Sequence, residues 1–253
     1  MKLFYKTAGE GAPLLVLHGL MGMLDNWQTP TKTLAQHFQV FTIDARNHGH
    51  SPHDDAFSYQ VMMEDLLELV DDLGLTEFHL LGHSMGGKTA MKFAQNYPDL
   101  INKLIIADIA PKAYPVHHQP ILDALSAVDL ENTARRSEAE KVLANYLDDR
   151  GVRQFLLKNL YWKDRGQLAW RFNLPVIKAV IADIGEAVMD RLYEGPTLFI
   201  RGAKSDYIQD ADWPEIETIF PDSELVTLKN AGHWVHAEQP KEFLEAVLAF
   251  LKD

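Results

Sequence analysis

The sequence predicts an α/β protein: a doubly wound, mostly parallel sheet with an inserted helical cap. Three observations carry that expectation. Short unbroken apolar runs recur along the chain, amphipathic helical periods separate them, and one stretch, 112–194, interrupts the alternation while staying apolar.

The runs are "LLVLH" (14–18), "VFTID" (40–44), "FHLLG" (78–82), "LIIAD" (104–108) and "TLFIRG" (197–202), with a weaker "LVTL" at 225–228. Such runs suit strands buried on both faces of a parallel sheet. Between the second and third, Val61, Met62, Leu66, Leu69, Val70 and Leu73 recur on one helical face, and Gly74 stops the helix. The last segment repeats the pattern after Pro240 with Phe243, Leu244, Val247, Leu248 and Leu251.

Within the interrupting stretch, Ser137 with Glu140 reads as a capping box, opening a helix whose stripe is Val142, Leu143, Tyr146 and Leu147. Residues 152–181 are rich in aromatic and apolar side chains, and the pattern predicts a mostly helical segment. It is too apolar to be a solvated linker. The expected division is therefore a core domain of 1–111 and 195–253 with a helical cap of 112–194.

At 253 residues and 47% hydrophobic, the chain has ample material for a large core. It has no cysteine, which removes disulfides, thiolate metal sites and a thiol nucleophile, and fits a reducing compartment. A net charge of −12 argues against nucleic acid as the main partner and favours a small-molecule ligand. The N-terminal patch "PLLVLHGL" carries a histidine and no small-x-small cleavage site, and no apolar run approaches the ~20 residues of a membrane span. A cytoplasmic protein, monomeric or a small homo-oligomer, is expected.

Open parallel sheets bind ligands at the carboxyl ends of their strands. There the sequence places His18-Gly19-Leu20-Met21-Gly22, then Asp44-Ala45-Arg46-Asn47-His48-Gly49, then Gly82-His83-Ser84-Met85-Gly86, then Asp108, and finally Ala231-Gly232-His233. The third fits G-x-S-x-G, in which flanking glycines let a strand turn sharply into a helix and expose the serine hydroxyl. The bland alternative is a helix N-cap. A serine hydroxyl needs a base to become a nucleophile, and His233, between the last strand and the terminal helix, is the best placed. The amides of Leu20 and Met85 are the candidate donors to an oxyanion.

Other polar residues receive blander readings. The run "NHGHSPHDD" (47–55) has metal-binding residue types without helical i, i+4 spacing, so loop architecture is preferred and no metal is expected. His83 is read as packing, His117 and His118 as exposed, and His236 as support for the terminal helix. Lys88 is read as a surface lysine in preference to one touching the cap or an anion. Trp162, Trp170 and Phe172 are expected to roof the site and shape its preference for the acyl group.

Together, "HGLMG", "DARNHGHS", "GHSMGGK", "DIAP", "WRFN" and "AGHWVHAEQP" resemble the serine esterases of the α/β-hydrolase superfamily, of the bacterial YbfF and eukaryotic ABHD11 type. The resemblance spans nearly the whole chain. It implies hydrolysis of carboxylic esters, with thioesters such as acyl-CoA within the family's range, and no cofactor. It carries Ser84 and His233 over as nucleophile and base, and Leu20 and Met85 as oxyanion donors. For the acid, many α/β-hydrolases use a residue three after a glycine on the penultimate strand, where "RGAKSDYI" places Ser205, with Asp206 one residue late. Asp108, ending "LIIAD", is the preferred acid and Asp206 the alternative. Rival readings are a C–C hydrolase or lyase on the same residues, and a ligand sensor of little turnover.

Overall fold

The structure, a computed structural model, describes residues 1–116, 118–164, 166–189 and 191–252, so the expectation for His117 lies outside the described residues. The chain runs through β1 (Tyr5–Ala8), β2 (Pro13–Leu17), α1 (Gln28–Leu34), β3 (Gln39–Ile43), α2 (Tyr59–Leu73), β4 (Phe78–His83), α3 (Met85–Asn96) and β5 (Ile101–Ala107). The intervening stretch holds α4 (Gln119–Ala127), α5 (Arg136–Leu143), α6 (Arg150–Leu157), β6 (Leu160–Asp164), β7 (Gln167–Trp170), α7 (Leu174–Ala179) and α8 (Ile181–Ile184). Then follow β8 (Thr197–Gly202), α9 (Trp213–Ile219), β9 (Ser223–Leu228), α10 (Val235–Glu238) and α11 (Pro240–Lys252).

Seven strands form one sheet in the order β1-β3-β2-β4-β5-β8-β9. Only the β1–β3 pairing is antiparallel. Strand β1 escapes the sequence pattern because Tyr5, Lys6 and Thr7 are all exposed. The continuous apolar runs are explained by two covered faces. Leu14, Val16, Leu81, Ile105, Leu198 and Ile200 pack on one side with Leu34 and with Phe243, Val247 and Leu251 of α11. Their neighbours Leu15, Leu17, Leu80, Leu104, Ile106 and Phe199 pack on the other with Leu66 and Val70 of α2, Met91 of α3 and Ile216 of α9. Helix α2 ends where its sequence predicts, Gly74 adopting φ 64°, a conformation that favours glycine although a Cβ there would meet nothing, and at its start the Ser58 hydroxyl accepts from the N–H of Val61.

The stretch between β5 and β8 departs from its predicted helical character. Residues 160–164 and 167–170 pair antiparallel, Leu160 opposite Trp170 and Trp162 opposite Leu168. Aromatic and apolar residues that read as helical face here favour a ribbon, since Gly166 at φ 85° turns the chain between them. The capping box is also displaced. Helix α5 starts at Arg136, and it is the carboxylate of Glu138 that accepts the N–H groups of Ala134 (2.8 Å) and Arg135 (3.2 Å), leaving Ser137 inside the first turn. Tyr146 is exposed while Leu143 is fully buried. Leu122, Leu125, Leu143, Leu156, Leu157 and Ile177 join the α2–α3 side of the core, so the cap and the sheet share one apolar cluster.

Candidate active site

Ser84 occupies the turn from β4 into α3 at φ 54°, ψ −118°, a region that costs a non-glycine residue on the order of 1–3 kcal/mol. The flanking glycines are required by close approach: a Cβ on Gly82 would fall on the carbonyl of Gly86, and one on Gly86 would lie 2.6 Å from the carbonyl oxygen of His18. The Ser84 N–H donates to Ala107 (3.1 Å), tying the turn to β5. The hydroxyl makes no capping bond to α3; it lies 3.0 Å from Nε2 of His233, in the loop between β9 and α10.

On the far side of that ring, Nδ1 is 2.8 Å from Oδ2 of Asp108, at the end of β5. Asp108 is fully buried and itself at φ 52°. Its Oδ1 accepts from the Gly202 N–H (2.9 Å), and Oδ2 accepts from the Ser205 hydroxyl. Burial pushes the Asp108 carboxyl up to about 7, opposed by the Ser205 hydroxyl, the Gly202 N–H and the charge of Arg201. With Asp108 accepting the Nδ1 proton, Nε2 of the neutral ring is left to accept from Ser84. Asp206 is exposed. The residue in the slot after the penultimate strand, Ser205, therefore donates to the β5 carboxylate.

Several supports of His233 have no sequence periodicity to announce them. Tyr207 stacks on its ring at 4.0 Å between centroids, and the Glu238 carboxylate accepts the N–H groups on both sides, Gly232 at 2.8 Å and Trp234 at 3.2 Å. His83 is packed between His233 and His236 and donates from Nε2 to the His233 carbonyl (2.8 Å). Burial drives His83 and His236 well below the usual histidine range. His236 stacks on Trp27.

The loop after β2 is held from behind. Met21, at φ 58°, donates its N–H to Nε2 of His48 (3.0 Å), and His18 accepts from the Ala45 N–H (3.0 Å) while donating to the Gly19 carbonyl (2.8 Å). Burial keeps both imidazoles neutral, lowering His48 to about 3. His48 thus commits both ring nitrogens to backbone, Nδ1 bonding the Arg46 carbonyl. Asp44 braces the same loop by accepting from Leu24 (2.7 Å), and its own loop after β3 by accepting from His50 (2.8 Å). Leu20 is thereby set at the cavity wall beside Ser84, and Met85 opens α3, where first-turn N–H groups lack intrahelical acceptors.

A cavity of about 470 Å³ lies over Ser84, walled by Leu20, Ile121, Val152, Phe155 and Trp234, with His118 half-buried at its edge. The three aromatic residues expected to roof it are elsewhere. Trp162 is 56% exposed on β6, and Trp170 and Phe172 stack on each other in the core, 7% and 2% exposed. The ribbon turns Trp162 outward and Trp170 inward, Phe172 follows Trp170 into the core by stacking on it, and Val152 and Phe155 of α6 supply the wall in their place. The "WRFN" motif is an anchor, since Asn173 bonds Asn47 through N–H to carbonyl (2.8 Å) and side chain to side chain (3.1 Å). Lys88 is likewise no surface lysine. It is 1% exposed, its ammonium donating to the carbonyls of Gly185 (3.3 Å) and Glu186 and lying 4.8 Å from the Tyr114 ring centroid. Burial lowers it to about 8.

Residues 12–144 match the alpha/beta hydrolase fold family. The chain is 40% identical to the sn-1-specific diacylglycerol lipase ABHD11 of Danio rerio, over 96% of this chain and 80% of that one. It is 35% identical to Esterase YbfF of Escherichia coli (strain K12), over 96% and 94% respectively. A solved marine microorganism esterase superposes with a TM-score of 0.96 at 44% identity, covering 98% of this chain and 99% of that one. Among the described residues, no helix is long and apolar enough to cross a membrane. The chain belongs to the α/β-hydrolase family and is a carboxylic ester hydrolase of that fold.

Proposed function

We propose that this protein is a serine esterase acting on short to medium acyl esters, with acyl-CoA thioesters as a second substrate class, through an acyl-enzyme on Ser84. The observation that carries the reading is the continuous relay from Ser84 Oγ through His233 to Asp108, at 3.0 Å and 2.8 Å. The Ser84 oxygen attacks the acyl carbon as Nε2 of His233 takes its proton, and the carbonyl π pair moves to oxygen, facing the N–H groups of Leu20 and Met85. Asp108 holds the tautomer and stabilises the imidazolium. Collapse breaks the bond to the leaving oxygen or sulfur, which receives the proton from His233. Water, deprotonated by the same nitrogen, then releases the acid and restores Ser84.

The test is turnover of p-nitrophenyl esters with rapid acid quench. An acyl adduct by intact mass, present in the wild type and absent from Ser84→Ala, is expected. A wild-type protein that turns over no ester would overturn the reading.

A further inference from the structure

Ser84 stands between two spaces of unequal size. The cavity of about 470 Å³ extends toward Trp27 and His236, on the α1–α11 face of the sheet. A second recess of about 30 Å³ opens from the same serine toward the opposite face, lined by Tyr59, Ile109, Tyr114, Ile181 and Ile184. His233 and Trp234 wall the cavity and Met85 lines the recess, while Leu20 and Ser84 border both spaces.

We propose that the recess is the acyl subsite and the cavity the leaving-group subsite, so that the preferred substrate joins a short acid to a long apolar alcohol. The inference rests on the serine-esterase reading. When the tetrahedral intermediate collapses, the carbon–oxygen bond to the alcohol breaks and its electron pair goes to the departing oxygen. The proton that oxygen takes comes from His233 Nε2. The alcohol must therefore leave through the space that His233 walls, and the acyl substituent must point into the other. A recess this small admits an acid of about two or three carbons, given that a single water needs on the order of 10–15 Å³.

The walls differ in stiffness in the same sense. Around the recess the Tyr59 hydroxyl donates to the Ile184 carbonyl (2.7 Å), the Tyr114 hydroxyl bonds the Tyr207 carbonyl and the Ala110 N–H, and the buried Lys88 ammonium ties the next two carbonyls after Ile184. These bonds hold the backbone of the recess wall against outward movement, so the recess widens only where a lining side chain is shortened. One part of the cavity wall is instead an apolar contact, Phe155 on Trp234, 5.5 Å between centroids, which a chain can slide along. Lys88 thus acts on specificity by position, one turn behind the nucleophile, without touching the reacting atoms.

Two ester series separate the subsites: acetates of linear alcohols from ethyl to octyl, and p-nitrophenyl esters of acids from acetyl to octanoyl. With the acid fixed, kcat/KM should rise at least about tenfold along the alcohol series, since each methylene gains apolar burial. With the leaving group fixed, it should fall at least about tenfold beyond propionyl, because the extra methylenes meet a closed wall. Ile181→Ala should lengthen the best acyl group by one or two carbons and leave the alcohol series unmoved. A flat or rising acyl series, or a falling alcohol series, would overturn the subsite assignment while leaving the esterase reading intact. Failure of the wild type to hydrolyse either series, with no fluorophosphonate labelling at Ser84, would overturn the esterase reading itself.

Discussion

The strand ends and the cap hold their side chains in different ways. At the strand ends the backbone does the positioning. Met21, Asn47, Ser84 and Asp108 are the non-glycine residues with positive φ among those described, and all four lie in the loops after β2, β3, β4 and β5. The sheet ladder fixes where each loop begins, so the strain is held in place. The cap has no such residue among those described. It is fastened by packing, Trp170 on Phe172, and by side chains reaching backbone carbonyls, as Lys88, Tyr59 and Gln95 do around 184–188. The difference implies that changes at the strand ends act on kcat, and that changes in the cap act on stability or on selectivity among esters.

The largest effect that would break this contrast is at Ser84, the proposed nucleophile. Ser84→Ala should lower kcat by on the order of 10⁶ with the fold unchanged, read by ester turnover and circular dichroism. Next, Asp108→Asn should lower kcat by on the order of 10³ to 10⁴ with little change in KM, while Asp206→Asn costs less than about tenfold. The reverse ranking would move the acid to Asp206. The same Asp108 variant carries a stability signature. Burial raises its folded carboxyl to about 7 from the ordinary value of 3.8, so the folded state holds that proton more tightly than the unfolded one. Its contribution to stability is full below pH 4 and is lost as pH rises toward 7. Relative to wild type, Asp108→Asn should therefore melt higher at pH 8 than at pH 5.

In the cap, Trp170→Ala and Phe172→Ala should each cost about 3–5 kcal/mol by removing a fully packed ring, seen as a lower Tm and an equal loss on every ester length. A loss that depends on acyl length would return them to the pocket wall. A smaller effect belongs to Ser205→Ala. The hydroxyl is the strongest of the groups holding the Asp108 carboxyl down, so its loss should move the acid limb of kcat/KM to higher pH. Activity at pH 7 should drop up to about tenfold and recover above pH 8. Least of all, exposed Trp162→Ala should stay within about 0.5 kcal/mol of wild type.

The strand ends were legible because their chemistry is local. A run such as "FHLLG" followed by Ser84 specifies a strand, a tight turn and a helix within a dozen residues, and the run's length already reports that both faces are covered. Ser84, His233 and Asp108 converge because parallel strands end at one edge. The cap was less legible because its apolar residues obey no single period. "LYWKDRGQLAW" holds aromatic residues that suit a helical face or a ribbon, and the choice is settled by packing on distant residues. Lys88 misleads for a related reason: its partners are backbone carbonyls nearly a hundred residues away, which carry no side-chain signature. Ser205 and Glu238 support the site through hydrogen bonds to Asp108 and to the flanks of His233, and single polar residues on loops give no pattern to read.

The central claim is that one hydroxyl, activated by one imidazole, carries the acyl group. The most direct measurement is the rate of phosphonylation by a fluorophosphonate, with the modified residue located by peptide mass. The adduct should map to Ser84 in the wild type, be absent from Ser84→Ala, and form on the order of 10³-fold more slowly in His233→Ala. An adduct on any other residue, or undiminished labelling of Ser84→Ala, would contradict the account.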